Sequence, residues 1–345
     1  MSISTTFVIL ILLYIGYQHN FGMDSDLPTD EEQAGLNDQI VINFSHVVAE
    51  NTPKGLAANK FAKLVEQKTN GKVKVEVYPN SMLYSDDNEI QALQNGDIQM
   101  IAPSFSNLTK SIPEWQVLDL PYIFRDYEDI QQVFTGETSK ELLDMLNDMN
   151  IKGMAFWSNG FKQMTSNQRP LIHVEDFKGL KVRTMPSDIL QQQFTMLKAS
   201  PSDIGFDKVF SALEKNVIDT EENTISNIYS KGFYKAQKYM TISNHGILGY
   251  AVMMNEDFWN SLPKDIQEKI QESIEETTLW NMKQSEKMNK DDLEKIKKDS
   301  SLSIYTLPES IQKEWMKKWD PLYQHYEEEI NPKLIKQIQH ELQQH

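Results

Sequence analysis

The sequence predicts an α/β fold in two domains, and three observations carry that reading. Over the first 105 residues, strand and helix signals alternate β-α-β-α-β after an apolar leader, the order of a mostly parallel sheet. The chain has 345 residues, more than one hydrophobic core usually organises. From Pro263 to Lys298 a run of helix formers continues without glycine or internal proline. At 1.5 Å per residue that helix would reach about 50 Å, too long for one compact domain, so it predicts a bridge between two.

The elements follow in order. Phe7 to Ile15 is an unbroken apolar run without a preceding Lys or Arg and without a following small-x-small site. It is short for a full span and fits a signal-peptide core or an uncleaved anchor over 1–22. Residues 23–38 form an acidic tether. "QIVINFSHV" is β-rich. Thr52 and Pro53 then cap and open a helix, in which Leu56, Ala57, Phe61, Leu64 and Val65 recur at helical spacing until Asn70-Gly71. "KVKVEVYP" alternates as a half-buried strand, "DDNEIQALQNG" is a helix and "IQMIAPS" a strand. Ligands in such sheets sit at the carboxyl ends of strands, which here carry Ser45, His46, Pro103, Ser104 and Phe105. Further on, a strand at Met154–Trp157 is expected to break at Asn159-Gly160. "GLKVRTM" is a strand, "SDILQQQFTMLKA" a helix, "FDKVFSALEKNVIDTEEN" a helix and turn, and "GILGYAVMMN" a strand. A second α/β unit thus fills about 161–248, and the tail is helical.

A net charge of −16 argues against nucleic acid and acidic membrane surfaces as partners. The absence of cysteine excludes thiol chemistry, disulfides and a lipidated cysteine. No dinucleotide, Walker A, nucleophile-elbow or H-E-x-x-H motif occurs. His340 and His345 are five apart and do not share a helix face, so no metal or cofactor is expected. Asp86-Asp87 and Glu221-Glu222 read as solvated charged faces. One residue stands out: only three of the 34 basic residues are arginine, and Arg183 lies in a short apolar run. A solvated cation is nearly always lysine in this sequence, whereas a planar guanidinium suits a carboxylate or phosphate met edge-on.

Several segments together resemble the extracytoplasmic solute receptors of tripartite ATP-independent periplasmic (TRAP) transporters, of the dicarboxylate-binding DctP type. They include "FSHVVAENTPKG" (44–55), "VEVYPNSMLYSDDNEIQALQNGDIQMIAPS" (75–104), "FWSNGFKQMTSN" (156–167), "DFKGLKVR" (176–183) and "DTEENTISNIYSKGFY" (219–234). The similarity runs from about residue 40 onward and weakens after about 300. The N-terminus and lysine-rich tail are most similar to membrane-attached binding proteins that serve a sensor kinase and a carboxylate symporter.

The resemblance implies a two-lobed periplasmic-binding-protein-like fold, type II-like, with crossover strands and a long hinge helix. Lobe I would comprise 39–160 plus 249–288, and lobe II 161–248 plus 289–345. It implies a non-catalytic receptor for C4-dicarboxylates, exported to the outer face of the membrane or the periplasm, with TRAP permease subunits or a sensor kinase as partner. It also implies that Arg183 pairs with a ligand carboxylate and that Asn223 assists it. Many relatives carry an arginine where this chain has Lys162, and "DTEENT" lacks the family's Gly and Pro. A dicarboxylate needs donors at both ends. The far end is assigned to His46, Lys54 and Ser104, with Trp157 and Phe105 as apolar walls and His245 as a further contact. An enzyme acting on a small carboxylate and a purely structural surface protein are the competing readings.

Overall fold

In the computed structural model, which describes residues 39–343, the parallel start of the chain forms as its pattern predicts. Strand β1 (Ile40–Ser45) leads to helix α1 (Pro53–Lys68), β2 (Val73–Tyr78), α2 (Glu89–Asn95) and the two-residue β3 (Met100–Ile101). The Thr52 hydroxyl accepts from the Gly55 amide at 3.2 Å, and Pro53 opens α1. β1 pairs in parallel with β2 and with β3. The apolar leader and acidic tether lie outside the described residues.

Helices α3 (Tyr127–Thr135) and α4 (Glu137–Asp144) precede β4 (Ile151–Ser166), which does not break at Asn159-Gly160 as the sequence suggests. Its 16 residues run through two sheets. Residues 151–161 pair antiparallel with β9 (Ile247–Asn255), which continues into the first sheet through β3. Residues 162–166 pair with β7 (Thr220–Thr224) in the second sheet. The register shifts between Ser158 and Gly160, where Gly160 has φ 108. The turn signal therefore marks an irregularity within a strand, and glycine's freedom at positive φ absorbs it.

The second sheet holds β5 (Lys181–Thr184), β6 (Ser200–Asp203), β7, β8 (Tyr239–Ile242) and β10 (Ser303–Thr306). Helix α5 (Asp188–Met196) links β5 to β6, α6 (Val209–Glu214) leads to β7, and α7 (Ile225–Ser230) and α8 (Phe233–Ala236) follow it. β7 corrects the expectation of a turn over "DTEEN". It lies between β4 and β5, and all five of its residues are buried.

After α9 (Glu256–Ser261), the predicted bridging helix appears as α10 (Lys264–Asp299), 36 residues and about 54 Å long. Ile266, Ile270, Ile274, Met282 and Ile296 lie on its buried stripe. Two buried asparagines tie it to the irregular part of β4. Asn281 Oδ1 accepts from the Ser158 amide at 2.7 Å, and Asn289 Nδ2 donates to the Asn159 carbonyl at 2.7 Å. Asn289 Oδ1 also accepts from the Ser226 amide at 3.0 Å, so one side chain joins the crossover strand to α7. A Cβ at Gly160 would lie 2.5 Å from Asn289 Nδ2, a second reason for glycine there. Helices α11 (Glu309–Glu329) and α12 (Pro332–Gln343) close the fold. Two sheets joined by crossover strands and a long helix make this a two-lobed periplasmic-binding-protein fold. No helix among the described residues is long and apolar enough to cross a membrane.

Candidate functional site

A cavity lies where the two sheets meet. Val47, Val48, Asp86, Ser104 and Asn107 line it from the first α/β unit. Lys162, Arg183, Met185, Phe206, Glu222, Asn223 and Asn227 line it from the second, and Leu248 and Tyr250 from β9. Hydrogen bonds cross its mouth. Asp86 accepts from Asn107 Nδ2 of its own unit at 3.0 Å and, from the other unit, from the Phe206 amide at 3.2 Å. Lys231 Nζ donates to Asn80 Oδ1 at 3.2 Å, and an exposed ion pair joins Asp87 to Lys208 at 3.0 Å.

Arg183 sits on β5, flanked by Ser202 of β6 and Glu221 of β7. It is 3% exposed, and its Nε donates to the Ile204 carbonyl at 2.8 Å. That bond orients the guanidinium without neutralising it. Among the described residues no carboxylate stands within ion-pair distance of it. Its strand neighbour Glu221 is fully buried. Burial pushes the Glu221 carboxyl up to about 7, against the opposing pull of the Thr165 hydroxyl and of Arg183.

Lys162, also buried, is differently placed. Its Nζ donates to Glu222 Oε1 at 2.8 Å. Glu222 Oε2 meets His245 Nε2 at 2.8 Å, and His245 Nδ1 meets Ser243 Oγ at 2.7 Å. Burial alone would raise the Glu222 carboxyl. The Lys162 ammonium and the His245 contact outweigh it and hold the group down to about 2. An ionised Glu222 only accepts, so His245 carries its proton on Nε2, and Nδ1 accepts from the Ser243 hydroxyl. Burial lowers the His245 pKa and keeps the ring neutral. Gly246 gives the lysine room: a Cβ there would lie 3.0 Å from Lys162 Cε.

The chain Ser243–His245–Glu222 has the members of a hydrolytic triad but the wrong orientation. Glu222 faces the cavity, whereas Ser243 is fully buried and does not line it. Ser243 Oγ is thus not presented to the cavity, where nucleophilic attack on a bound carbonyl would need it.

Of the nine side chains that the sequence nominates, the structure brings Arg183, Asn223, Lys162 and Ser104 to the cavity. Asn223 Oδ1 accepts from Asn227 Nδ2 at 2.9 Å and the Thr224 amide at 3.1 Å, leaving Nδ2 as its donor. Ser104 Oγ donates to Met185 Sδ at 3.3 Å. The other five do not line it. His46 is fully buried edge-on to Phe44, and burial with Lys54 nearby lowers it to about 3. Lys54 is buried behind the wall, where its Nζ donates to the Ala102 carbonyl at 2.7 Å and sits 3.6 Å from the centre of the Tyr250 ring. Burial brings Lys54 down to about 8. Trp157 is core, with Nε1 donating to Thr278 at 3.0 Å. Phe105 packs where a Cβ on Gly249 would come within 2.8 Å of it. His245 stands behind Glu222.

Sequence reasoning missed Glu222, Asp86, Asn227 and Tyr250. Their charged sequence context predicts solvated faces for the two acids, yet Glu222 is 1% exposed and Asp86 bonds across to the Phe206 amide. The one local signal for Glu222 is its place beside Asn223. Tyr250 had a signal too, as the polar-tipped member of an otherwise small and apolar strand. Among the described residues no cluster of His, Asp and Glu suits a metal ion.

Comparison with known proteins gives a consistent result. A family model described as bacterial extracellular solute-binding protein, family 7 (DctP), matches residues 44–329. The C4-dicarboxylate-binding protein DctB of Bacillus subtilis (strain 168) is 51% identical over 326 residues, spanning 94% of this chain and 93% of that protein. A TRAP periplasmic solute binding protein from Sulfurospirillum deleyianum, solved with bound succinate, is 39% identical with a TM-score of 0.83, covering 87% of this chain and 98% of that one. Another, from Pseudomonas aeruginosa with bound L-malate, is 36% identical with a TM-score of 0.81, covering 83% of this chain and all of that one, 100%.

Proposed function

Because this chain belongs to the family-7 bacterial extracellular solute-binding proteins, we propose that it is a non-catalytic receptor for C4-dicarboxylates that delivers them to a TRAP-type permease. The observation that carries the ligand class is Arg183, buried, lining the cavity and without a carboxylate partner among the described residues. A buried guanidinium is costly unless an anion meets it, and a carboxylate meets its fork with two parallel hydrogen bonds. Asn223 and Ser104 add polar groups to the walls. The relatives solved with succinate and L-malate support the same class. The buried Ser243 favours binding over hydrolysis.

Closure follows from the cavity's construction. Arg183 sits on one sheet and Ser104 on the other side, so a ligand touching both binds the closed form better. The Asp86 and Asn80 hydrogen bonds across the mouth belong to that form. The membrane partner reads closure, and the Phe7–Tyr17 segment keeps the receptor at the membrane. Presentation to a sensor kinase would use the same closed form. Permease genes beside this one support transport; a histidine kinase and symporter support sensing.

Calorimetry against succinate, fumarate, malate, butyrate and pyruvate tests the reading. We expect binding of the three dicarboxylates and weaker binding of the monocarboxylates. Tighter binding of butyrate or pyruvate than of all three dicarboxylates would defeat it, as would turnover of any ligand on incubation. Scattering should show a smaller radius of gyration with ligand, and fractionation should find full-length chain in the membrane pellet.

A further inference from the structure

An acid lines a cavity that is built for an anion. Asp86 is one of its lining residues, in a chain whose net charge is already −16. On charge alone it should repel a dicarboxylate, since like charges repel most strongly where solvent is excluded. Its two oxygens show another use. Oδ1 accepts from Asn107 Nδ2 at 3.0 Å, which fixes the carboxylate within the first α/β unit. Oδ2 accepts at 3.2 Å from the amide of Phe206, which belongs to the second.

Phe206 is not an arbitrary point on the second unit. Two residues earlier, the Ile204 carbonyl accepts from Arg183 Nε at 2.8 Å. Residues 204–206 therefore hold the ligand-facing guanidinium at one end and the cross-cleft amide at the other. The segment is braced. The Lys208 amide donates to the Gly205 carbonyl at 2.9 Å. The Phe206 ring packs edge-on to Phe233 of α8, with centroids 5.9 Å apart. Lys231 Nζ lies 5.3 Å from the centre of the same ring, an attractive placement for a cation, and it also reaches across the mouth to Asn80. A backbone held on both sides links the orientation of Arg183 to the position of the Phe206 amide.

We propose that Asp86 is a positioning residue for ligand binding: its carboxylate latches the Phe206 amide when the lobes close, and through residues 204–206 it holds Arg183 on the bound carboxylate. The inference deepens the dicarboxylate reading and rests on it. The latch joins partners on opposite sides of the cleft, so its hydrogen bond adds to the stability of the closed form alone. A charged acceptor makes it one of the stronger hydrogen bonds, and it offsets the repulsion between Asp86 and the ligand. The Asp87–Lys208 pair crosses the same mouth but is exposed at both ends, and such pairs contribute little.

Calorimetric titration of the full chain with succinate tests the latch, on wild type and on Asp86→Ala, Asp86→Asn and Lys208→Ala. Both substitutions of Asp86 remove the charge, but asparagine keeps a carbonyl oxygen for the Phe206 amide. Asp86→Ala should bind succinate at least about tenfold more weakly than wild type, and scattering should show less compaction at saturation. Asp86→Asn should bind within about threefold of wild type or more tightly, and Lys208→Ala within about threefold. Charge alone predicts the opposite sign for Asp86→Ala, so binding by that variant as tight as wild type or tighter overturns the latch. Asp86→Asn as weak as Asp86→Ala overturns it too, because the accepting oxygen would then not matter. Equal weakening in Lys208→Ala would show that any contact across the mouth suffices, and the path through residues 204–206 falls. A wild type that binds none of succinate, fumarate and malate is the separate failure of the dicarboxylate reading, and the latch falls with it.

Discussion

Strand β7 places two carboxylates side by side, and they behave in opposite ways. Glu221 neighbours Arg183 and is pushed up to about 7; Glu222 meets Lys162 and is held down to about 2. Both are fully or almost fully buried, so solvent does not separate them. The difference lies in contact. Lys162 and His245 reach Glu222 at 2.8 Å each, whereas Arg183 makes no ion pair with Glu221. One cation of the cavity is compensated by the protein and the other is not. A compensated cation holds the fold together; an uncompensated one is available to an anionic ligand.

The sharpest way to break this contrast is to remove each cation and measure stability separately from binding. Lys162→Met leaves a buried carboxylate without its cation and should destabilise the protein by about 3–5 kcal/mol in denaturant titrations. Adding Glu222→Gln should recover more than half of that. A double variant no more stable than Lys162→Met would show that the pair is not the source of the loss.

Arg183→Ala should do the reverse. Dicarboxylate affinity should fall by about 2–5 kcal/mol, or roughly 30- to several-thousand-fold, while stability without ligand changes by less than about 1 kcal/mol. Calorimetry placing this variant within threefold of wild type would remove Arg183 from the binding role.

The two glutamates also predict opposite pH dependences. Glu222 is depressed below its ordinary 4.5, so its stabilisation is present above about 4.5 and is lost as pH falls toward about 2. Glu221 is raised, so the folded state binds its proton more tightly and stability falls as pH climbs from about 4.5 through about 7. That loss is on the order of 3 kcal/mol at most. Glu221→Gln should flatten the slope over this window in urea melts from pH 4.5 to 8. An unchanged slope would show that Glu221 does not titrate there.

The smallest expected effect is the most specific. Arg183→Lys keeps the charge and loses the fork, and should weaken dicarboxylate binding by about 1.4 kcal/mol, or roughly tenfold. Wild-type affinity in this variant would mean that charge alone holds the ligand.

The sequence by itself determined what local pattern and residue choice encode. The capped helix α1, the alternating β2 and the long α10 follow from caps, periodicity and absent breakers, all short-range properties. Arg183 was legible because this chain spends arginine so rarely. Tertiary structure decided the rest. The residues of β7 form a strand in spite of two adjacent glutamates, because the partner of Glu222 lies 60 residues away on β4, and charge burial depends on a contact that no local window contains. β4 runs through its Asn-Gly because α10 supplies Asn281 and Asn289 to receive the irregular backbone. Lys54 and His46 match their motif yet stand behind the wall, since a motif sets a residue's place along the chain while packing sets which face meets the ligand. Tyr250 and Asn227 come from segments more than 20 residues apart, and only the folded chain brings them to the lining of one cavity.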